Sequence, residues 1–291
     1  MKPIGIVTDS HSGIVPEDAK QMGIYVLPMP FYVDEECFYE GVTISRASFF
    51  EQLEEGKKVS TSQPSPDEVM KLWSYVLKEY ESILYMPISS GLSGSCDTAK
   101  MLAAEPEFSG KVFVVDHGRV ATPLRRTILD AMELVKEGYG AAEIRDILEK
   151  ERDKVSIYIA VETLEYLKKG GRISPATAAI GTLLNIKPVL QLDVGVLESF
   201  CKCRGMKKAR KDMLAAIKND METKYGEYYN KGEVYLLAAS SAEEAVTKEW
   251  VEEIKAYFPG MDVLCDDLSL GICCHTGMGA LGVGCSCKPK R

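Results

Sequence analysis

Long apolar runs are missing from this sequence: no stretch approaches the ~18 consecutive apolar residues that a membrane span needs. The opening MKPIGIVTDS carries one lysine and a five-residue apolar patch that Asp9 ends. A secretory signal needs roughly 7–15 apolar residues there, so the expected location is the cytoplasm. Positive charge is in the minority, with 35 Lys and Arg against 43 Asp and Glu and a net charge of −8. That balance disfavours nucleic acid or an anionic membrane surface as the main partner. It leaves a small anion open, because local donors decide that, and is compatible with transient membrane contact. No strand-to-helix turn carries Gly-x-Gly-x-x-Gly, which removes a dinucleotide site. Repeats and low-complexity segments are absent too.

Cysteine is not scarce. The nine thiols are an odd number, and with no export signal they read as reduced side chains. The segment GICCHTGMGALGVGCSC tempts a metal reading with His275, but its pairs are Cys-Cys and Cys-x-Cys. Zinc sites usually use Cys-x₂₋₄-Cys, so no metal is expected. On a strand, Cys201 and Cys203 share one face and Lys202 and Arg204 the other, which suits two small buried side chains.

Short apolar runs alternate with amphipathic segments. IGIVT, YVLPM, ILYMPI, VFVVD, SIYIAV, KPVLQL, VLESFCK, EVYLLAAS and MDVLC read as strands. Ser65-Pro66-Asp67-Glu68 is a capping box with proline at the first helical position. Thr122-Pro123 should open a helix that Gly138 closes, and Ser174-Pro175 should open PATAAIGTLL. The alternation predicts an α/β chain with largely parallel strands in its first half. In the second half, KPVLQLDVGVLESFCKCRG reads as an antiparallel hairpin. A long helix is expected from about Met206 to Tyr228, and a frayed tail at CKPKR. The length favours two domains, divided as 1–154 and 155–291.

Four polar turns follow strands: TDSHSG (8–13), STSQPSP (60–66), SSGLSG (89–94) and VDHGRVAT (115–122). In open α/β sheets, ligands lie beyond the carboxyl ends of the strands. The second and third turns run into helix N-termini, where free amides favour an anion. A carboxylate could accept bonds there from Thr61, Ser62 or Ser93. Each hydroxyl alone reads as a helix cap worth about 1 kcal/mol, but several on one side of a sheet point to a site. Gly91 and Gly94 bracket Ser93 and would let a ligand approach the backbone.

Ser93 could instead be a nucleophile, since Asp116 and His275 follow in the order Ser, Asp, His. Yet a nucleophile elbow is Gly-x-Ser-x-Gly, the chain has Gly91-Leu92-Ser93-Gly94, and with three histidines in all, finding one downstream carries little weight. Cations gather in LKKGGRIS (167–174) and KCRGMKKARK (202–211). The lysines read as a solvated face, whereas Arg172 and Arg204 have the guanidinium fork suited to phosphate or carboxylate. HTGMGALG (275–282) puts His275 on a glycine-rich bend.

In this order, TDSHSGI, TSQPSP, ISSGLSGS, LKKGGRIS, LLNIKPVL and HTGMGALG resemble the motifs of the DegV family of bacterial fatty-acid-binding proteins, over the whole chain. The resemblance implies a parallel Rossmann-like sheet in the N-terminal domain, a mixed α/β C-terminal domain and one long-chain fatty acid between them. Members of the FakB type present the acyl carboxylate to a separate ATP-binding kinase subunit, which converts it to acyl phosphate. By position, Thr61, Ser93 and His275 would hold the carboxylate with Ser62 nearby. Ser90, Gly91, Gly94 and Gly277 would line a secondary ligand turn, and Arg172 and Arg204 would meet the kinase or the phosphoryl group. The chain departs from the family pattern at His11, His117, Gly118 and Met278.

The sequence has no Gly-x₄-Gly-Lys-Ser/Thr loop, so ATP and Mg are expected on the partner, and no cofactor on this chain. The expectation is a monomeric binding subunit without turnover of its own. The alternatives are a serine hydrolase using Ser93, Asp116 and His275, or a carrier of another small anion.

Overall fold

The computed structural model describes residues 2–179, 186–193 and 196–291. The chain divides into two compact units, Met1–Asp153 together with Pro289–Arg291, and Lys154–Lys288. In chain order the first unit contains β1 (Lys2–Asp9), a 3-10 turn (Ser10–Ser12), α1 (Pro16–Met22), β2 (Tyr25–Leu27), β3 (Pro30–Val33), β4 (Glu36–Tyr39) and α2 (Arg46–Glu54). It continues with β5 (Val59–Thr61), α3 (Pro66–Val76), β6 (Tyr80–Met86), α4 (Ser95–Ala103), β7 (Val112–Val114), α5 (Ala121–Lys136) and α6 (Ala141–Lys150).

Its main sheet is parallel, in the order β2-β1-β6-β7. Side chains alternate between the two faces with the period of a strand. Ile6, Leu84 and Met86 pack with Leu124, Ile128, Ile144 and Leu148 of α5 and α6. Val7, Ile83 and Tyr85 pack on the other face with Trp73 of α3 and Cys96 and Ala99 of α4. Both faces are therefore covered, as a parallel sheet requires. Asp9 stands level with Leu27, Thr8 with Met86, and Tyr85 with Val114, so the four strands end along one edge. A second, antiparallel sheet in the order β4-β3-β5 carries Thr61 at the end of β5.

The second unit contains β8 (Val155–Ala160), α7 (Glu165–Gly170), α8 (Pro175–Ala178), β9 (Ile186–Asp193), β10 (Val196–Arg204), α9 (Met206–Thr223) and α10 (Gly226–Tyr229). β11 (Val234–Ser240), α11 (Glu244–Tyr257), β12 (Val263–Asp267), α12 (Leu270–Thr276) and β13 (Leu281–Cys287) complete it. Its mixed sheet runs β10-β9-β8-β13-β11-β12, with α9 and α11 packing Met213, Ile217, Trp250 and Ile254 on one face. The expected hairpin is present as antiparallel β9 and β10. Its Val194-Gly195 turn lies outside the described residues, as do residues 180–185 of PATAAIGTLL and LLNIKPVL.

Several boundaries differ from expectation. α5 begins at Ala121, with Val120 at its cap and no side-chain bond there, so Thr122 does not cap it. Pro123 is tolerated because first-turn amides have no intrahelical acceptor. The expected long helix is two, because Tyr225 turns into the core and donates its amide to the Asp220 carbonyl. The tail is bonded rather than frayed: the Lys290 amide donates to Glu151 and Arg291 pairs with Glu137. β13, absent from the predicted strands, lies between β8 and β11. Its glycines weaken the strand signal, yet a Cβ on Gly284 would stand 2.8 Å from the Ser156 carbonyl oxygen.

Candidate functional site

In the first unit, side chains lace the predicted turns together. Asp9, fully buried, accepts the Ile88 amide at 2.7 Å and the His11 amide at 2.9 Å. One carboxylate thus ties the turn after β1 to the turn after β6. Ser10 Oγ accepts the Met29 amide at 3.0 Å, joining the turn after β2. His117 joins the turn after β7: its Nε2 meets the Pro87 carbonyl at 2.8 Å and its Nδ1 accepts the Arg119 amide at 3.0 Å. Only the neutral ring with its proton on Nε2 makes both bonds. Burial first, and then the nearby Arg119 charge, push the His117 pKa down to about 4. The Ser89 amide donates to the Arg119 carbonyl at 3.0 Å.

The turn at 60–66 meets the start of α4 through Gln63, whose Oε1 accepts the Thr98 hydroxyl at 3.1 Å and lies beside Gly94. Thr61 is half-buried at the end of β5. Ser62 is exposed and donates to the Gln63 carbonyl. Ser65 and Glu68 form the expected capping box, with Tyr39 donating to Glu68 at 2.9 Å.

Ser93 is half-buried, and its Oγ accepts the Ser95 amide at 3.2 Å. Its hydroxyl proton has no acceptor among the described residues. Gly94, not Ser93, is the N-cap of α4, so Ser93 accepts an amide within its own turn and still has a donor to offer. Ser95, which sequence reasoning passed over, is 4% exposed, and its Oγ also lacks a partner among the described residues. Ser90 accepts from Arg152 at 3.1 Å. Gly91 and Gly94 are exposed, and the Gly91 amide donates to Ser89 Oγ.

Asp116 does not have the surroundings of a triad carboxylate. Lys100 and Arg152 each lie 2.9 Å from its Oδ2. Burial alone would raise its pKa, but Lys100, Ser90 and Arg152 outweigh that and hold it below the ordinary aspartate value. Gly118, at φ 68°, makes room for this cluster, since a Cβ there would stand 2.9 Å from Arg152 Cγ. The departures at His117 and Gly118 thus serve the lacing, and His11 is packed against Asp9.

In the second unit, two predicted motifs interlock. His275 lies in the last turn of α12, and its ring sits on the backbone of Gly170 at the end of α7. A Cβ on Gly170 would lie 2.0 Å from His275 Nδ1. Gly277, at φ 71°, admits Tyr166, whose ring would be 2.8 Å from a Cβ there. Ser241 Oγ donates to the Gly277 carbonyl at 2.7 Å and accepts the Ala280 amide at 2.9 Å, fixing the bend that includes half-buried Met278. Arg172 is half-buried and donates to the Gly170 carbonyl.

Arg204 is exposed at the end of β10, whereas Arg172 bonds to Leu197 near its start. At about 3.3 Å per residue, those ends of the strand are roughly 23 Å apart. The structure therefore separates the two arginines that sequence analysis grouped together.

A parallel sheet with laced, hydroxyl-bearing turns along its carboxyl edge, followed by a mixed-sheet unit with a histidine-glycine bend, defines a two-unit α/β class. Within it, the chain belongs to the DegV family: the model described as "Uncharacterised protein, DegV family" matches residues 3–288. A DegV domain-containing protein from Deinococcus radiodurans is 32% identical over 96% of this chain and 97% of its own. A structure described as showing fatty acid binding of a DegV family protein from Thermus thermophilus superposes with a TM-score of 0.86 at 32% identity, covering 98% of this chain and 99% of that one. DegV from Bacillus subtilis, described as a fatty acid binding protein, superposes with a TM-score of 0.84 at 28% identity over 99% and 100%. No helix among the described residues is long and apolar enough to cross a membrane.

Proposed function

We propose that this chain binds a single long-chain fatty acid and presents its carboxylate to a separate ATP-dependent kinase subunit for acyl phosphate formation. The carrying observation is the Ser93 hydroxyl, which keeps its proton for an outside acceptor on a turn that Asp9 and His117 hold in place. The Thermus and Bacillus relatives described as binding fatty acids supply the ligand class.

In this reading Thr61, Ser62 and Ser93 give hydrogen bonds to the carboxylate, and His275 of the second unit gives another. Ser90, Gly91, Gly94 and Gly277 shape the neighbouring backbone. Burying a dozen methylenes at ~0.8 kcal/mol each gives roughly 10 kcal/mol gross, so the tail supplies affinity and the head group orientation. Phosphoryl transfer depends on positioning and metal-assisted charge stabilisation, which ATP and Mg on the kinase would provide. Arg172 and Arg204 are too far apart to meet one phosphoryl group, and a protein face spanning both is the role proposed for them. The chain itself acts as a cytoplasmic monomer without cofactor or turnover.

Native mass spectrometry of freshly purified protein, with solvent extraction, tests this reading. A fatty acid adduct that Ser93→Ala loses is the expected result. Protein that is empty and also refuses palmitate and oleate would overturn it.

A further inference from the structure

Away from these turns, the hairpin and α9 bring three metal-ligating side chains together. Cys201 and Cys203 occupy one face of β10, and Asp212 of α9 lies over them. The two Sγ atoms are 3.6 Å apart, and Cys203 Sγ is 3.3 Å from Asp212 Oδ2. All three donor atoms lie within 4.8 Å of one another, the one such group among the described residues. Zinc-ligand bonds of ~2.3 Å to sulfur and ~2.0 Å to oxygen, at tetrahedral angles, place sulfurs about 3.8 Å apart and sulfur and oxygen about 3.5 Å apart. The Sγ–Sγ and Cys203 Sγ–Asp212 Oδ2 spacings are within a few tenths of an ångström of those tetrahedron edges, and the third edge is no longer than 4.8 Å.

We propose that Cys201, Cys203 and Asp212 form a binding site for a thiophilic divalent cation, zinc by its ligand chemistry. A cleft of about 440 Å³ opens beside Phe200, Cys201, Asp212 and Asn219 and leaves the fourth ligand position to water. On binding, each thiol releases its proton to solvent, and the two thiolates and the carboxylate coordinate the ion. That set carries one negative charge in excess of the cation's. Lys208, paired with the other carboxylate oxygen of Asp212, offsets it. Cys201 and Cys203, read from the sequence as two small buried side chains, have a Cys-x-Cys spacing that suits a strand, where residues two apart share a face. Asp212, nine positions beyond Cys203, completes the set only because α9 folds back over the hairpin.

The test is titration of the whole chain, reduced with a phosphine, with cobalt(II) and then zinc. One equivalent of cobalt should produce a sulfur-to-metal charge-transfer band and the intense visible bands of a tetrahedral site. Protons should be released as cobalt binds, and zinc should then abolish both bands without further proton release. Cys201→Ser, Cys203→Ser and Asp212→Asn should each weaken binding at least about tenfold, the scale on which even outer-shell partners are felt. Cys265→Ser, outside the cluster, should bind as wild type. Asp212→Asn preserves side-chain shape, so its result stands even if a buried-cysteine variant fails to fold, as thermal melting would reveal. Absence of the charge-transfer band, affinity unchanged in the three variants, or a Cys201–Cys203 disulfide that resists the phosphine would each overturn the proposal.

Discussion

Replacing Gly170 with alanine is expected to separate the placement of His275 from the stability of the fold. The new Cβ would lie 2.0 Å from Nδ1 and 2.6 Å from Cε1 of the His275 ring. The nearer contact is about 1.4 Å inside ordinary van der Waals separation, far too close for a small relaxation. The ring, however, ends a rotatable side chain that is only half-buried. Swinging it aside costs about 0.5–1.5 kcal/mol, and alanine in place of helical glycine returns up to ~1 kcal/mol. Net stability should therefore change by less than ~1 kcal/mol while the imidazole leaves its place. If that imidazole holds a carboxylate, the lost charge-assisted bond is worth about 1.5–3 kcal/mol, or roughly 10- to 100-fold in affinity. Gly171→Ala is the control: Gly171 has φ +69° with nothing within 4 Å, so it introduces backbone strain without touching the ring. Calorimetric titration of delipidated protein with oleate, beside imidazole NMR of His275, reads both effects. The reasoning fails if Gly170→Ala moves the ring yet binds oleate as tightly as wild type, or if Gly171→Ala loses as much affinity.

Two further predictions concern the lacing of the first unit. Asp9→Ala leaves the amides of Ile88 and His11 without their buried acceptor, at about 1–3 kcal/mol each. Urea denaturation should therefore show a loss of roughly 2–5 kcal/mol, and a loss below ~1 kcal/mol would refute the part given to Asp9. His117, with its pKa lowered to about 4 from an ordinary 6.5, is bound as the neutral ring. Its stabilisation is complete above pH ~6.5, declines as the unfolded chain takes up the proton, and levels off below pH ~4, a total of roughly 3 kcal/mol. Asp130 works in the opposite direction over the same range, because burial raises its pKa to about 6 despite Arg126. The total curve is thus partly cancelled, and the difference between wild type and His117→Phe isolates the histidine. A difference that stays constant from pH 7 to pH 4 would contradict the neutral, buried assignment.

What could be read in advance was mostly local. The Ser65 capping box, the Ser174 cap and the period-two strands declare themselves through neighbouring residues. β13 did not, because its glycines look like a loop until the carbonyls of Ser156 and Ala239 beside them are known. The start of α5 misled because Thr122-Pro123 is a cap signal, whereas Val120 and Ala121, the latter at φ 54°, make the actual turn. Site residues divide in the same way. Hydroxyl-rich turns are visible as composition, but the pairing of Gln63 with Thr98 and the seat of His275 on Gly170 depend on contacts across 35 and 105 positions of sequence.

Residue chemistry alone would misrank the polar groups along the first unit's sheet edge. Aspartate and histidine are common general acids and bases, yet Asp9, Asp116 and His117 are occupied by amides, a carbonyl and cations within the unit. Their removal should therefore act on the fold, and on ligand binding only through it. Ser93 is the weaker acid and the more ordinary residue. Its acceptor function is filled by the Ser95 amide, and its proton is not. A turn whose backbone is held by such buried partners can keep a hydroxyl aimed at an outside acceptor without the local backbone collapsing onto it. That division of labour, with buried Asp and His holding the loops and a half-buried Ser keeping an unused donor, is preorganisation of the kind a binding site needs.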